Sequence, residues 1–325
     1  MTFSSILTYQ MLLESYLATR VIRPSTESSY RASIRKLENG LASYCADKWI
    51  KFDTDVNSLT QSQVAKWRSY ELVNGLCANS WNTHVRHLKA IFNHAIDVGL
   101  LTMDRNPFYK MAITSPNKRK KTLSLHQVTQ ARLFLAGAQL DEEKGKEVGK
   151  LHPVWFWQTV FETFYYTGMR RNQLIHLKVG DVHLKNQLIK IRIEGSKTWR
   201  EYEIPISNQL LPYLEQLLWR ASLLSFKAED QLFNVNRFSE HKNSRMSKVM
   251  TVDRVSNVFE YISKRIGIQV SPHRFRHTLG TDLMKEPERN LHLVKELLGH
   301  TNIKTTLEYV EPDLNSIKTL LDHRG

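Results

Sequence analysis

Cysteine is nearly missing from this chain. Two in 325 residues, Cys45 and Cys77, with no CxxC spacing, are too few for a disulfide framework and fit a reducing, cytoplasmic setting. Long apolar runs are missing as well. No stretch approaches the roughly 18–20 residues of a membrane span, and no strongly amphipathic basic helix suits a membrane surface. The opening MTFSSILTYQMLLESYL has no basic lead, long apolar centre or small-residue cleavage site, so a signal peptide is not expected. Repeats and low-complexity tracts are absent. Negative charge is in short supply: 32 Asp and Glu stand against 46 Lys and Arg, a formal net charge of +14. That imbalance says nothing about fold, but it selects an anionic partner, and nucleic acid fits the footprint best.

What is present suffices for two cores. The hydrophobic fraction is 41% and the aromatic fraction 10%, ordinary globular values, and the length predicts about two domains. The first part reads as four helices. SSILTYQMLLESYLATR places Ile6, Tyr9, Leu12, Leu13, Tyr16 and Leu17 at helical spacing. After Pro24-Ser25-Thr26 the pattern repeats with Tyr30, Ile34, Leu37 and Leu41. A third helix follows Thr60 as N-cap, and a fourth runs from near Ser80 to Gly99, a glycine suited to a helix C-terminus. The run RNPFYKMAITSPNKRKKTLS then breaks the periodicity with two prolines and the basic cluster Lys118, Arg119, Lys120 and Lys121. This is a linker signature; between two DNA-binding parts such a segment can lie along phosphates.

The second part is mixed. LHPVWFWQTVFETFYYTG is a strongly apolar helix ending at Gly168. Ile189, Ile191 and Ile193 alternate, then Tyr202, Ile204 and Ile206, with EGSKTW between them; this is a β-hairpin. NQLLPYLEQLLWRASLL is helical, residues 223–253 read as loops, and DRVSNVFEYISKRIG, SPHRFRHTLGTDLMKE, NLHLVKELLGH and the terminal segment return to helix.

Several chemistry-bearing residues stand out. In SPHRFRHT, Ser271 is a good N-cap and Pro272 suits the first helical position. His273 and Arg276, at i and i+3, share a face of the first turn, where backbone N–H groups at 272–274 favour an anion. Arginine adds a fork of donors matched to phosphate oxygens. His273 and His277 at i, i+4 could instead hold zinc, but Arg274 stands where HExxH needs its glutamate. Arg170 in TGMR lies in the turn before a helix, and Lys197 in GSKTW rides the hairpin tip; each could equally be a solvated turn residue. LLGH ends in His300, and Tyr309 follows nine positions later.

The ordered set TGMR, SKT before EIPI, HRFRH, LLGH and then tyrosine resembles the tyrosine recombinase (phage integrase) family. The resemblance implies a mostly α fold with a small β-sheet or hairpin in the C-terminal domain. It implies a helical core-binding domain over 1–115, a basic linker over 116–123 and a catalytic domain over 124–325. It casts Arg170, Lys197, His273, Arg276 and His300 as catalytic residues around the nucleophile Tyr309. In that scheme the arginines, His300 and helix N–H groups steady phosphate charge, His273 acts as base and Lys197 as acid. A 3′-phosphotyrosyl intermediate forms without metal, ATP or other cofactor. The family position three after the first arginine is usually acidic; here it is Gln173. Asp181 matches a following acidic position, with a structural role.

The resemblance further implies double-stranded DNA carrying a specific recombination site as partner, bound by a homotetramer whose C-terminal tail docks in trans. DNA-bending or directionality proteins are possible accessories. Arg31 with Arg35, and Arg86 with Lys89, form candidate DNA-binding pairs beside Lys118, Arg119, Lys120 and Lys121, although solvated helix faces explain them as well. The chain begins almost at its first helix, so a separate arm-binding domain is not expected. Two alternatives stay open at this stage, a type IB topoisomerase-like nicking-closing enzyme and a catalytically weak DNA-binding relative.

Overall fold

A computed structural model describes residues 7–47, 55–116, 121–196, 200–239, 249–310, 318 and 321–323. The chain divides into two compact units, Met1–Lys118 and Arg119–Gly325.

The first unit is built on α1 (Tyr9–Ala18), α2 (Pro24–Asp47), α3 (Gln61–Val73) and α4 (Ala78–Asp97). Local signals set their starts. The Thr8 hydroxyl accepts from Met11 N–H, and Thr60 and Gln63 form a reciprocal capping box, each filling backbone donors that a helix start leaves open. Gly99, with φ +75°, follows the end of α4. The apolar stripes meet in a core where Trp67 and Trp81 pack edge to face at 4.9 Å. Gly40 is required there, because a Cβ would come 2.3 Å from Trp67 Nε1. The buried Glu71 accepts from that same Nε1 at 2.9 Å and pairs with Lys36 at 2.6 Å, so its charge is matched on both sides.

The second unit opens with α5 (Leu125–Glu143), a helix that the periodicity above did not reveal. A capping box of Ser124 and Gln127 starts it. Its partner α6 (Val154–Thr167) is buried along most of its length, with Phe156, Trp157, Val160, Phe161 and Phe164 inside. The buried Glu162 of α6 is met by Arg132 of α5 at 2.6 Å. Gly168, with φ +59°, ends α6 in a left-handed turn, and α7 (Arg171–His176) follows at once.

The sheet has three strands, not two. β1 (Val182–His183), β2 (Leu188–Ile191) and β3 (Tyr202–Pro205) pair antiparallel in that order, with Ile189 opposite Ile204 and Ile191 opposite Tyr202. Ile193 falls beyond the ladder, so the hairpin ends two residues earlier than its alternation suggests. Asp181 is structural: buried, it accepts from Arg192 Nε at 2.7 Å and from Lys178 N–H at 2.9 Å. Then come α8 (Leu211–Leu223), α9 (Val235–Phe238), α10 (Val252–Ile266), α11 (Pro272–Leu283), α12 (Pro287–Leu297) and α13 (Ile303–Leu307). The single turn α9 interrupts the stretch read as loops. Phe275 of α11 packs edge-on against Phe161 of α6 at 4.8 Å, and so α11 is seated against the central helix. The terminal helix expected after Tyr309 lies mostly outside the described residues.

Candidate active site

Four backbone features converge on one side chain. Gly168 turns the chain out of α6; Arg170 then occupies the N-cap of α7. Ser271 caps α11, whose first turns carry His273 and Arg276. Gly299, with φ +62°, reverses the chain after α12 and delivers His300. Asn302 caps α13, and Tyr309 follows its last turn.

Arg276 is 4% exposed. Its Nη1 donates to Gly168 O at 3.0 Å; its Nη2 donates to Leu298 O at 2.7 Å and to His300 Nε2 at 2.8 Å. It also hydrogen-bonds the Tyr309 side chain. A guanidinium only donates, so Nε2 of His300 accepts, its proton is on Nδ1, and Nδ1 donates to Thr306 Oγ1 at 2.9 Å. Burial, and then the positive charge of Arg170, push the Arg276 pKa down to about 10. Among the described residues no carboxylate pairs with either arginine, and Arg170 Nη1 is buried without a hydrogen-bond partner. Two guanidiniums side by side, one with an unfilled donor, describe a site for an anion.

Tyr309 is also buried, at 4% exposure. Its ring lies parallel to that of His300, 5.9 Å away, and 5.5 Å from that of His277. The ring also rests on Gly280, where a Cβ would come 2.5 Å from Tyr309 Cδ1. The structure thus brings Arg170, Arg276, His300 and Tyr309 together. His273 is exposed, and its Nε2 shares a 2.8 Å hydrogen bond with His277 Nε2. The two histidines face each other, and among the described residues no group of three or more metal-ligand side chains forms. Of the backbone donors expected at 272–274, Pro272 has none and that of Arg274 is taken by Ser271 Oγ. Lys197 lies outside the described residues; the turn just before it is tied to α7, where Asn172 donates to the carbonyls of Glu194 and Gly195.

Three participants, Tyr202, Thr306 and Gly280, escaped the sequence reading, and a fourth, Gln173, entered it only as a departure from the family pattern. Gln173 is buried; its Oε1 accepts the Arg170 backbone N–H at 2.7 Å and its Nε2 donates to Tyr202 Oη at 2.7 Å. At the position that is usually acidic, it supports Arg170 through the backbone. Tyr202, on β3, rests against Gly299. Thr306 left no signal in the sequence. Gly280 did leave one: a glycine inside a helix costs about 1 kcal/mol and asks for a reason.

In the first unit, the Arg31 and Arg35 pair separates. Arg31 is clamped by Glu14 at 2.6 Å and Glu27 at 2.7 Å, whereas Arg35 and Arg86 are exposed. Lys89 sits over the Tyr109 ring at 5.2 Å, and Arg105 and Lys110 flank the same ring at 4.5 and 5.6 Å. These last two cations lie past the end of α4, where helical spacing could not group them with Lys89. Lys121 is exposed; Lys118, Arg119 and Lys120 lie outside the described residues.

Comparison with known proteins points the same way. The phage integrase family matches residues 155–315. A putative tyrosine recombinase XerC of Pseudomonas aeruginosa is 38% identical over 98% of this chain and 72% of its own length. Among solved structures, the Tn1549 transposon integrase in complex with transposon right end DNA has a TM-score of 0.67 at 18% identity, covering 98% of this chain and 99% of that one. A lambda integrase tetramer bound to a Holliday junction has a TM-score of 0.64 at 18% identity, covering 95% of this chain and 78% of that one. No helix among the described residues is long and apolar enough to cross a membrane.

Proposed function

This chain is a tyrosine recombinase of the phage integrase family, and from that premise we propose that it cuts and rejoins DNA at a specific site through Tyr309. The observation that carries the reading is the buried Arg276 with the partly buried Arg170, whose Nη1 is enclosed, unneutralised by any described carboxylate, beside the Tyr309 side chain. A phosphodiester held there gathers charge on its oxygens as it reacts, and fixed donors in a dry site stabilise that charge strongly. Arg276, braced by three acceptors, is already oriented; it loses little freedom when phosphate arrives.

The Tyr309 oxygen attacks phosphorus, an Oη–P bond forms and the bond to the 5′ oxygen breaks. The phenolic proton passes to the His273–His277 pair, with His273 as base, and the departing 5′ oxygen takes a proton from Lys197. His300 acts through Arg276, since its Nε2 accepts from Nη2 and holds the guanidinium in place for the phosphate. The product is a 3′-phosphotyrosyl ester and a free 5′-hydroxyl. A 5′-hydroxyl from a second duplex reverses the step, so neither metal nor ATP is needed. Four protomers on two sites, linked by C-terminal tails docked in trans, would exchange strands in pairs. DNA-bending or directionality proteins would set the outcome.

For DNA binding, Lys89, Arg105 and Lys110, with Arg35, Arg86 and the 118–121 cluster, would meet phosphates. Arg31 is excluded from that set, because two carboxylates already neutralise it. The test is incubation with DNA flanking the protein's own gene, in EDTA, read on denaturing gels. A covalent adduct that Tyr309→Phe abolishes is expected; an adduct formed by Tyr309→Phe would overturn the assignment. Plasmid relaxation without joining of two sites would instead mark a nicking-closing enzyme.

A further inference from the structure

Tyr202 is a second tyrosine in this site, and the chemistry above gives it no task. Its hydroxyl is fixed by a chain of directed hydrogen bonds. Gln173 Oε1 accepts the backbone N–H of Arg170 at 2.7 Å, which settles which end of the amide is which. The amide nitrogen must then donate, and it donates to Tyr202 Oη at 2.7 Å. The phenol oxygen is therefore an acceptor there, and its own proton has to point elsewhere. The charged side chains acting on this hydroxyl are Arg276 and Arg170, and guanidiniums offer only donors. Among the described residues no acceptor takes the proton.

The ring is equally constrained. It lies on Gly299 so closely that a Cβ would come 2.6 Å from the ring carbons and 2.8 Å from Oη. Gly299 stands between Leu298 and His300, whose carbonyl and Nε2 both accept from Arg276 Nη2. The hydroxyl thus lies within the field of the two arginines, its oxygen held by Gln173 and its proton without a described acceptor. Burial raises its pKa against the pull of Gln173 and the arginine charges, so the proton stays on at neutral pH.

Building on the recombinase reading, we infer that Tyr202 is a further catalytic residue, donating its hydroxyl proton in a hydrogen bond to a non-bridging oxygen of the scissile phosphate while Gln173 holds it in place. Gln173, at the usually acidic position, suits this arrangement. A carboxylate would accept the phenol's proton, whereas the amide's N–H leaves it for the phosphate.

Tyr202→Phe keeps the ring on Gly299 and removes only the hydroxyl, so the variant should fold and bind DNA normally. On a duplex carrying the cleavage site mapped from the adduct, it should form the covalent species roughly tenfold to a hundredfold more slowly, as loss of one preorganised donor does. That loss could also follow from a loosened Gln173, so the substrate is varied too. A scissile methylphosphonate lacks one non-bridging oxygen, a different one in each diastereomer. On the diastereomer lacking the oxygen that Tyr202 contacts, Tyr202→Phe and the unsubstituted protein should react within about twofold of each other, and on the other the defect should persist. An equal defect on both diastereomers and on native phosphate, or no defect at all, would overturn the role. A protein with no Tyr309-dependent adduct would be silent in every variant; that removes the recombinase chemistry, and this role with it.

Discussion

Nδ1 of His300 donates to the hydroxyl of Thr306 at 2.9 Å, and this contact decides how the histidine presents itself to Arg276. With the proton held on Nδ1, Nε2 is left to accept from the arginine. Thr306→Val removes the partner and leaves a buried donor unpaired. Adduct formation should slow by roughly tenfold, as when the outer support of a working histidine is lost. Thr306→Ser should restore most of the rate, because the hydroxyl returns. Single-turnover adduct kinetics on one duplex measure both.

Gly280→Ala should have two effects of opposite sign. Alanine favours a helix by about 1 kcal/mol over glycine, but its Cβ would come 2.5 Å from Tyr309 Cδ1. Overpacking of this kind costs about 1–3 kcal/mol or displaces the ring. A melting temperature at or below that of the parent, with adduct formation reduced at least about tenfold and DNA affinity retained, is the expected result.

Lys89, Arg105 and Lys110 should act as phosphate contacts without regard to base sequence. Each of Arg105→Ala and Lys110→Ala is expected to lower the slope of log affinity against log salt by about one, equally on specific and unrelated duplexes. Arg31→Ala should leave the slope unchanged, its charge being already met by Glu14 and Glu27. Titrations of fluorescent duplexes at several salt concentrations give these slopes.

His84 and His87 should make the first unit sensitive to acid. Both rings bring Nδ1 to the Ser33 hydroxyl, at 3.0 and 2.9 Å. Burial comes first in holding both pKa values below the usual histidine value of 6.5; His87 and Lys36 add to it at His84, against Glu71, and Arg86 adds to it at His87, against the Ser29 backbone. Below about pH 6.5 the unfolded chain takes up protons that the folded one refuses. Stability should therefore be full above that value and fall as pH drops through it toward the depressed folded values. Thermal melts of the whole protein between pH 8 and 5.5 should show the decline, and His84→Asn with His87→Asn should flatten it.

The sequence made visible what depends on short-range spacing. Thr60, Ser271 and Pro272 mark helix starts through local capping chemistry, and Ile189 through Ile206 mark a hairpin through alternation. The α5 helix escaped because its polar and apolar residues are poorly segregated, leaving only the Ser124 and Gln127 capping box. The site divides in the same way. Ordered motifs pointed to Arg170, Arg276, His300 and Tyr309, and those side chains do assemble. Tyr202, Gln173 and Thr306 act through contacts made only after folding: a strand meets a turn, and a hydroxyl meets a ring six residues back. Arg31 shows the converse, since its helix neighbour Arg35 suggested a shared surface, whereas Glu14 from another helix claims it.

Tyr309 also belongs to a small apolar cluster with Met284, Val294 and Leu298. The five-residue α13 before it is far too short to hold its shape unaided. The proposed nucleophile would thus also be the mooring of its own tether. In the proposed chemistry a DNA strand joined to the phenol would be fastened to a ring packed on Gly280 and beside His300, and strain on that strand would fall on this cluster first. On that proposal, the grip of the protein on a half-finished exchange would depend on how firmly one aromatic ring is packed, and not on the ester alone.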